Sequence, residues 1–250
     1  MIDVGTAGWS IPGAAADDFP GDGTHLERYA RVLRCAEINS SFYRSHKFQV
    51  YEKWANQTSP SFRFSVKLPR AITHNSELLR TRIPLTRFLS EVAGLGGKLG
   101  ALLVQLPTSL EFRGRSVRTF FQLLREGFAG AVVCEPRNAS WFQLNAQTLL
   151  EKLQIGRVAA DPSNIPGGDC PGGWMGSEMT GANAVVYYRL HGWPRKYFSR
   201  YPIERVQQWA ETLSRLPPST QAWCIFDNTA AGGAIENALE LETSLSIRTR

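Results

Sequence analysis

Five short segments of the chain pass from apolar residues into groups that can do chemistry: Glu37-Ile38-Asn39-Ser40-Ser41, Ser65-Val66-Lys67, Cys134-Glu135-Pro136-Arg137, Tyr187-Tyr188-Arg189-Leu190-His191 and Ile225-Phe226-Asp227-Asn228. Carboxylates, amines and imidazoles are the side chains that exchange protons with a reacting molecule. Guanidinium groups hold carboxylates and phosphates. Each of these groups stands where a strand should stop, and helix-length connections separate the segments. That repetition predicts a barrel whose strand ends converge on one polar mouth.

The elements that must position these groups can be read along the chain. Strand patterns cover 2–9, 35–41, 62–68, 100–106, 131–137, 155–161, 184–191 and 221–227. Helix patterns cover 24–33, 48–59, 84–95, 116–127, 145–153, 203–216 and 233–245. Thr24 with Glu27 three residues on forms a capping-box signature. Pro84 suits a first helical turn, and Gly94, Gly96 and Gly97 close that helix. The connection after the sixth strand, 162–173, is too rich in glycine and proline for a helix. With 250 residues, the alternation predicts an α/β fold: a single (β/α)8 TIM-type barrel over 1–250, its sixth helix replaced by a Gly/Pro-rich loop. A doubly wound open sheet fits the same alternation, but strand number and length favour closure.

Side chains alternate across a strand, one face toward the helices and the other into the barrel. Phe62, Phe64, Val66 and Leu68 read as the helix-facing set of the third strand, which turns Arg63, Ser65 and Lys67 inward. The same test turns inward Glu37, Asn39 and Ser41, then Leu103 and Gln105, then Val133, Glu135 and Arg137. It also turns inward Ala159 and Asp161, and Tyr187, Arg189 and His191. The eighth strand is ambiguous, because Trp223, Ile225 and Asp227 alternate with Cys224, Phe226 and Asn228. Unpaired buried charge costs several kcal/mol per ion, so these groups must be paired, wetted or used. A stabilising ion-pair lattice is a poorer explanation than a ligand site, since buried ion pairs gain little stability.

Glu37 and Glu135 are the candidate acid and base, because opposed carboxylates in a cationic pocket hold different pKa values. Lys67 or His191 would polarise a carbonyl or carry a proton, and Asp161 joins this catalytic set. Arg137, Arg189 and the Gly232-Gly233 turn before the last helix would hold an anion. Asn39, Tyr43, Gln105, Trp141, Asp227 and Asn228 complete the binding set. Trp9, Phe42, Tyr43, Trp141, Trp193 and Tyr197 cluster near the same rim, and about half are expected to seal loops instead. Arg63 is expected to pack or pair, and His25 to lie on the surface. No cofactor is called for. The rival reading is a divalent metal held by Glu135, Asp161, His191 and Asp227 from four strands. No local spacing motif supports it, and Arg137 and Arg189 would crowd a cation.

The totals bound the classes. The composition, 43% hydrophobic and 20% charged, is ordinary for a globular protein. No run approaches the roughly 20 apolar residues of a membrane helix. The first residues enter a strand directly, so no signal peptide is read. No two of Cys35, Cys134, Cys170 and Cys224 form a two-residue-spaced pair, and a reducing, cytoplasmic setting is expected. The net charge is +6. Arg80, Arg82, Arg87, Lys98, Arg113, Arg115, Arg118 and Arg125 concentrate the excess, as a helical face or as a surface for polyanions.

Taken together, certain motifs resemble the YecE-like family of unknown function: Gly5-Thr6-Ala7-Gly8-Trp9-Ser10, Glu37-Ile38-Asn39-Ser40-Ser41-Phe42-Tyr43-Arg44, Phe64-Ser65-Val66-Lys67-Leu68-Pro69-Arg70 and Ile72-Thr73-His74. Gln105-Leu106-Pro107, Glu135-Pro136-Arg137 with Ser140-Trp141, Arg189-Leu190-His191-Gly192 and Phe226-Asp227-Asn228-Thr229 extend the resemblance. It implies a TIM-type barrel loosely grouped with sugar-isomerase-related proteins, and it supplies no reaction. The leading expectation is an enzyme moving protons on a small polar or anionic carbohydrate-like molecule. The alternatives are a nucleic-acid-processing or nucleic-acid-binding barrel and a non-catalytic ligand binder. The oligomeric state is left open.

Overall fold

The computed structural model describes residues 1–176 and 185–248. Ala184, expected to open the seventh strand, lies outside them. A sheet of ten segments runs β1 (Ile2–Ala7), β2 (Cys35–Ile38), β3 (Arg63–Lys67), β4 (Leu99–Gln105), β5 (Ala131–Glu135), β6 (Ile155–Arg157), β7 (Ala159–Asp161), β8 (Gly172–Gly173), β9 (Val185–Leu190) and β10 (Gln221–Phe226). Their spatial order is β7-β9-β10-β1-β2-β3-β4-β5-β6-β8. All neighbours are parallel except β6 and β8. β6 pairs with β5 and β7 pairs with β9, with only Val158 between them. The sheet therefore nearly closes on itself, as a mostly parallel, barrel-like α/β fold.

The α-helices of the described residues are α1 (His25–Val32), α2 (Phe48–Asn56), α3 (Arg82–Val92), α4 (Gly114–Gly127), α5 (Leu144–Lys152), α6 (Ile203–Ser214) and α7 (Gly233–Arg248). The capping box forms at α1: Thr24 Oγ1 accepts from Glu27 N at 3.3 Å, and Glu27 Oε2 accepts from Thr24 N at 2.6 Å. Leu26 and Tyr29 bury the inner face of α1. α3 begins two residues before Pro84, which sits in its first turn. Gly94 follows it because a Cβ there would stand 2.3 Å from the Phe48 carbonyl oxygen of α2. Between β7 and β9 no α-helix forms among the described residues; turns and β8 stand there. His25 is exposed, and Arg63 Nη1 donates to the carbonyls of Pro60 and Phe62.

Two cores result from the period-2 alternation. The helix-facing core takes Phe62, Phe64, Val66 and Leu68 among many others. The interior of the sheet takes Cys35, Ala101, Leu103, Val133, Val158, Tyr187, Trp223 and Ile225. The ambiguous last strand therefore turns Trp223 and Ile225 inward. Trp223 is the register partner of Tyr187, and the two rings stack with centroids 5.9 Å apart. Replacing Trp223 with alanine is expected to cost about 3–5 kcal/mol, the usual range for a buried aromatic. Urea denaturation would measure it, and a loss below about 1 kcal/mol would contradict this packing.

The sixth strand departs from the expected alternation. Val158 points inward and Ala159 joins the helix-facing core. Val158 N still bonds to Cys134 O of β5 at 2.8 Å, after which the chain turns to pair with β9. Ile155, Val158 and Ala159 are all apolar, so the sequence carried no alternation to read there. Asp161 consequently faces the helix layer rather than the interior.

Candidate functional site

Parallel register sets the height of each polar group. Glu37 lies opposite Ser65, Gln105 opposite Glu135, and Arg189 opposite Ile225, with Asp227 two residues farther along. Arg189, directly above the apolar interior, is fully buried. Its guanidinium meets three carboxylates. Nε donates to Glu37 Oε2 at 3.0 Å and Nη2 to Glu37 Oε1 at 2.7 Å. Nη1 donates to Glu135 Oε2 at 2.6 Å, and Nη2 also donates to Asp227 Oδ2 at 2.9 Å. Tyr187 extends the set, its hydroxyl 2.6 Å from Ser65 Oγ and donating to Glu37 Oε2 at 3.0 Å. Bidentate donation of this kind fixes carboxylates in place as well as neutralising them.

Arg137 caps Glu135 from the mouth side, with Nε and Nη2 at 3.0 and 2.9 Å from Oε1. His191 bridges two of these carboxylates, sharing Glu135 Oε1 with Arg137 and Asp227 Oδ2 with Arg189. Its Nε2 lies 3.2 Å from Glu135 Oε1 and its Nδ1 3.0 Å from Asp227 Oδ2. Carboxylates only accept, so the doubly protonated ring donates to both neighbours and the neutral ring to one. The turn after His191 needs glycine. Gly192 has φ +94°, and a Cβ there would meet Ser199 O at 2.5 Å. Burial opposes ionisation of Glu135, but Arg189, Arg137 and His191 outweigh it and hold the carboxyl well below its usual range. Asp227 is shifted the same way: burial opposes, Arg189 and His191 prevail.

Above this layer opens a cavity of about 470 Å³. Lys67, Gln105 and Asp227 reach it from strand ends, Asn39 and Tyr43 from the loop after β2, and Arg137 from the loop after β5. Lys67, last residue of β3, is held at its main chain by the Ser41 hydroxyl, which donates to Lys67 O at 2.6 Å. Its ammonium lies 4.1 Å from the centre of the Phe42 ring. Among the described residues that ammonium forms no hydrogen bond or ion pair. Burial, with the Arg189 charge second, pushes its pKa down from 10.5 to about 8. Asn39 Oδ1 is buried without a partner among the described residues. Asp227 Oδ2 is occupied by Arg189 and His191, which leaves Oδ1 for the cavity.

Of the remaining wall residues, Phe42 and Tyr197 are expected rim aromatics, whereas Arg70, His74 and Thr229 are not among the expected site residues. Phe42, Arg70, His74, Tyr197 and Thr229 line the same cavity. Arg70 and His74 belong to motifs that carried the family resemblance, and that was the signal available for them. His74 touches the Phe42 ring edge-on at 5.0 Å and bonds to Thr73 Oγ1 at 2.8 Å. Burial and then the charges of Lys67, Arg70 and Arg137 push its pKa down from 6.5 to about 4. It is therefore a neutral imidazole near pH 7. Tyr197 holds a left-handed backbone, φ 69°, beside His191 and Arg137. Strain of this kind persists only where surrounding contacts enforce it.

Other expected site residues stand elsewhere. Glu37, Glu135, Arg189 and His191 lie beneath the cavity and do not line it; their polar atoms are taken up by one another. Asp161 accepts from the Tyr201 hydroxyl at 2.7 Å and from Arg205 Nη2 at 2.9 Å, apart from the Arg189 cluster. Trp141 is buried and donates to Leu110 O at 2.9 Å. Asn228 donates to Ser199 O and Asn237 Oδ1, tying the last loop to α7. Gly233 packs against Arg200 and Asn228. Gly232 lines a neighbouring cavity of about 220 Å³, which shares Thr229 with the first. Of the rim aromatics, Phe42, Tyr43 and Tyr197 reach the cavity, whereas Trp9 packs on Trp54 and Phe64.

Of the four residues weighed as metal ligands, Glu135, His191 and Asp227 meet but Asp161 does not join them. Arg189 already occupies Glu135 Oε2 and Asp227 Oδ2, and Asp161 lies apart. No group of three His, Cys, Asp or Glu side chains among the described residues has the geometry of a metal site. Arg80, Arg82, Arg113 and Arg115 line a separate groove of about 550 Å³ between α3 and α4. Arg125 donates instead to the carbonyls of Leu153, Gly130 and Gln154. No helix of the described residues is long and apolar enough to cross a membrane.

The family described as "Protein of unknown function DUF72" matches residues 3–250. The UPF0759 protein YecE of Escherichia coli is 34% identical over 109 residues, 44% of this chain and 39% of that protein. The chain thus aligns with well under half of that relative's length. The UPF0759 protein YunF of Bacillus subtilis is 23% identical over 280 residues, covering 99% of this chain and 95% of that protein. A DUF72 family protein from Enterococcus faecalis has a similar structure, with a TM-score of 0.79 at 23% identity over 98% of this chain and 96% of that chain. One from Thermotoga maritima gives 0.77 at 23% identity over 98% and 99%. At such identities the structural likeness speaks to the fold alone. With a family pattern running almost end to end, this chain belongs to the DUF72 family.

Proposed function

We propose that the cavity binds a small anionic, carbohydrate-like molecule and moves a proton within it. One observation carries this reading. Among the described residues the wall presents Lys67, Arg70 and Arg137 against the single carboxylate Asp227. Taking the wall together with the buried layer beneath it, Glu37, Glu135 and Asp227 are balanced by Arg189, Arg137 and Lys67, so Arg70 adds positive charge that a ligand would answer. Arg70 and Arg137 hold the anion. Lys67 polarises a carbonyl or hydroxyl oxygen. Asp227, oriented by His191 and Arg189, exchanges the proton through Oδ1, and neutral His74 can carry it. Glu37 and Glu135, first candidates for acid and base, serve as the fixed counter-charge that positions Arg189 and His191.

We read the sheet as the eight-stranded (β/α)8 TIM-type barrel of one domain, with β6 and β7 as halves of one strand and β8 as an added edge. Its site then sits at the carboxyl ends of the strands, where such barrels place their chemistry. The nucleic-acid reading needs the arginines of 80–125 at this mouth, and the groove lined by Arg80, Arg82, Arg113 and Arg115 shares no residue with the cavity.

Thermal-shift screening against sugar phosphates, sugar acids and keto acids tests the proposal. A ligand at a hundred times its Kd is expected to add about 2.7 kcal/mol of stability. Arg70→Ala with Arg137→Ala is expected to abolish that shift, and Asp227→Asn to keep the shift while losing turnover. Absence of stabilisation by any small anion would remove the reading.

A further inference from the structure

We propose that Lys67 is a covalent amine nucleophile, which captures the carbonyl carbon of its anionic ligand as an imine. The inference rests on the anion-binding reading of the cavity and narrows the ligand to an aldehyde, an open-chain sugar or an α-keto acid. Lysine ammonium groups are strongly hydrated and normally find acceptors when enclosed. This one is 6% exposed. It rests on the face of Phe42 and, among the described residues, forms no hydrogen bond or ion pair. Groups facing it from other strands pull both ways. Arg189 disfavours its charged form, whereas Glu37, Glu135 and Asp227 favour it. Burial outweighs the carboxylates and raises the fraction held as the free amine, which is the form that attacks.

The surroundings suit the step that follows. Arg70 and Arg137 would seat the ligand's anionic end, and Asn39 Oδ1 is an acceptor without a partner among the described residues. His74 lies against the same Phe42 ring as Lys67. The Nζ lone pair forms the C–N bond while the carbonyl π pair moves to oxygen. A proton passes from nitrogen to that oxygen, giving a carbinolamine. The hydroxyl then takes a second proton, relayed from solvent through His74, and leaves as water, and the nitrogen lone pair closes C=N as the protonated imine. Amine, carbonyl and that proton thus become protonated imine and water, with no oxidant or reductant. The protonated imine withdraws electrons from the adjacent C–H, whose proton Asp227 Oδ1 is placed to take.

Reductive trapping tests this on the intact protein. The probe is glyoxylate, an aldehyde carrying a carboxylate, with cyanoborohydride added to fix any imine as carboxymethyl-lysine. Peptide mapping by mass spectrometry near pH 7.5 compares Lys67 with exposed Lys152. Lys67 is expected to be modified roughly 10- to 100-fold faster, since far more of it is free amine. Its rate should level off above about pH 8, and saturating phosphate should slow it. Lys67→Arg is expected to keep glyoxylate binding in a thermal shift while losing the fast adduct. Modification of Lys67 no faster than Lys152, with the wild-type shift intact, would overturn the imine and leave the anion site standing. Absence of both adduct and shift would overturn both.

Discussion

Replacing Arg189 with methionine is expected to remove about 3–5 kcal/mol of stability at neutral pH, much of what a domain this size has to lose. The cause is the charge left behind. Glu37, Glu135 and Asp227 would stay buried with their main counter-ion gone. The pH dependence should reverse as well. In the wild type the carboxyls of Glu135 and Asp227 sit below their ordinary values of 4.5 and 3.8. Such groups stabilise the fold above the unfolded-state values, and that contribution is lost as the pH falls below about 4.5. Without Arg189 the same carboxyls titrate above their unfolded values, so the variant gains stability relative to wild type as they take up protons. Urea denaturation from pH 4 to 8 would follow the two curves converging toward low pH. Arg189→Lys, one charge without the planar fork, is expected to fall between them. A constant difference across that range would contradict the three-carboxylate arrangement.

Lys67→Met is expected to do the opposite to stability and to abolish function. The wild-type ammonium titrates near 8 in the folded state, against 10.5 in its ordinary state. Below pH 8 the charged, buried form costs stability. Between the two values the unfolded chain binds a proton that the folded chain has released, so stability rises with pH. At about 1.4 kcal/mol per pK unit, the full effect is about 3 kcal/mol. Methionine fills similar space without charge and escapes this cost. The variant should therefore exceed wild type near pH 7 by up to about 3 kcal/mol, and the advantage should shrink toward pH 10. Anion affinity should fall roughly 10- to 100-fold, the loss of one charged hydrogen bond of about 1.5–3 kcal/mol. Denaturation at pH 7 and 9.5, with the thermal-shift screen, reads both. A variant less stable than wild type at pH 7 would mean that Lys67 has a strong partner.

How far the site was legible depended on how local its determinants were. Alternation along one strand is a property of neighbours in sequence, so the inward set of β2, β3, β4, β5 and β9 could be read from residue types. The same logic failed at 155–161, where apolar residues on both faces concealed the turn at Val158. Wall residues on loops, such as Arg70, His74 and Tyr197, have no periodicity. Their place depends on the path the loop takes. Trp141 and Asn228 look like ligand-binding types, yet each finds a carbonyl in the fold and is used for packing.

The sequence by itself determined that carboxylates, guanidinium groups, one amine and one imidazole stand at strand ends, because strand period and helix spacing are encoded within a few residues. Which of them face the cavity was decided only by tertiary structure. Arg189 and Glu37 are 152 residues apart and join at 2.7 Å once the sheet curls round and fixes its register. That closure places Glu37, Glu135 and His191 in a buried lattice and leaves Lys67 and Asp227 at the cavity. The difference between the buried groups and those that face the cavity is one of depth, a distance along the strands that no local pattern contains.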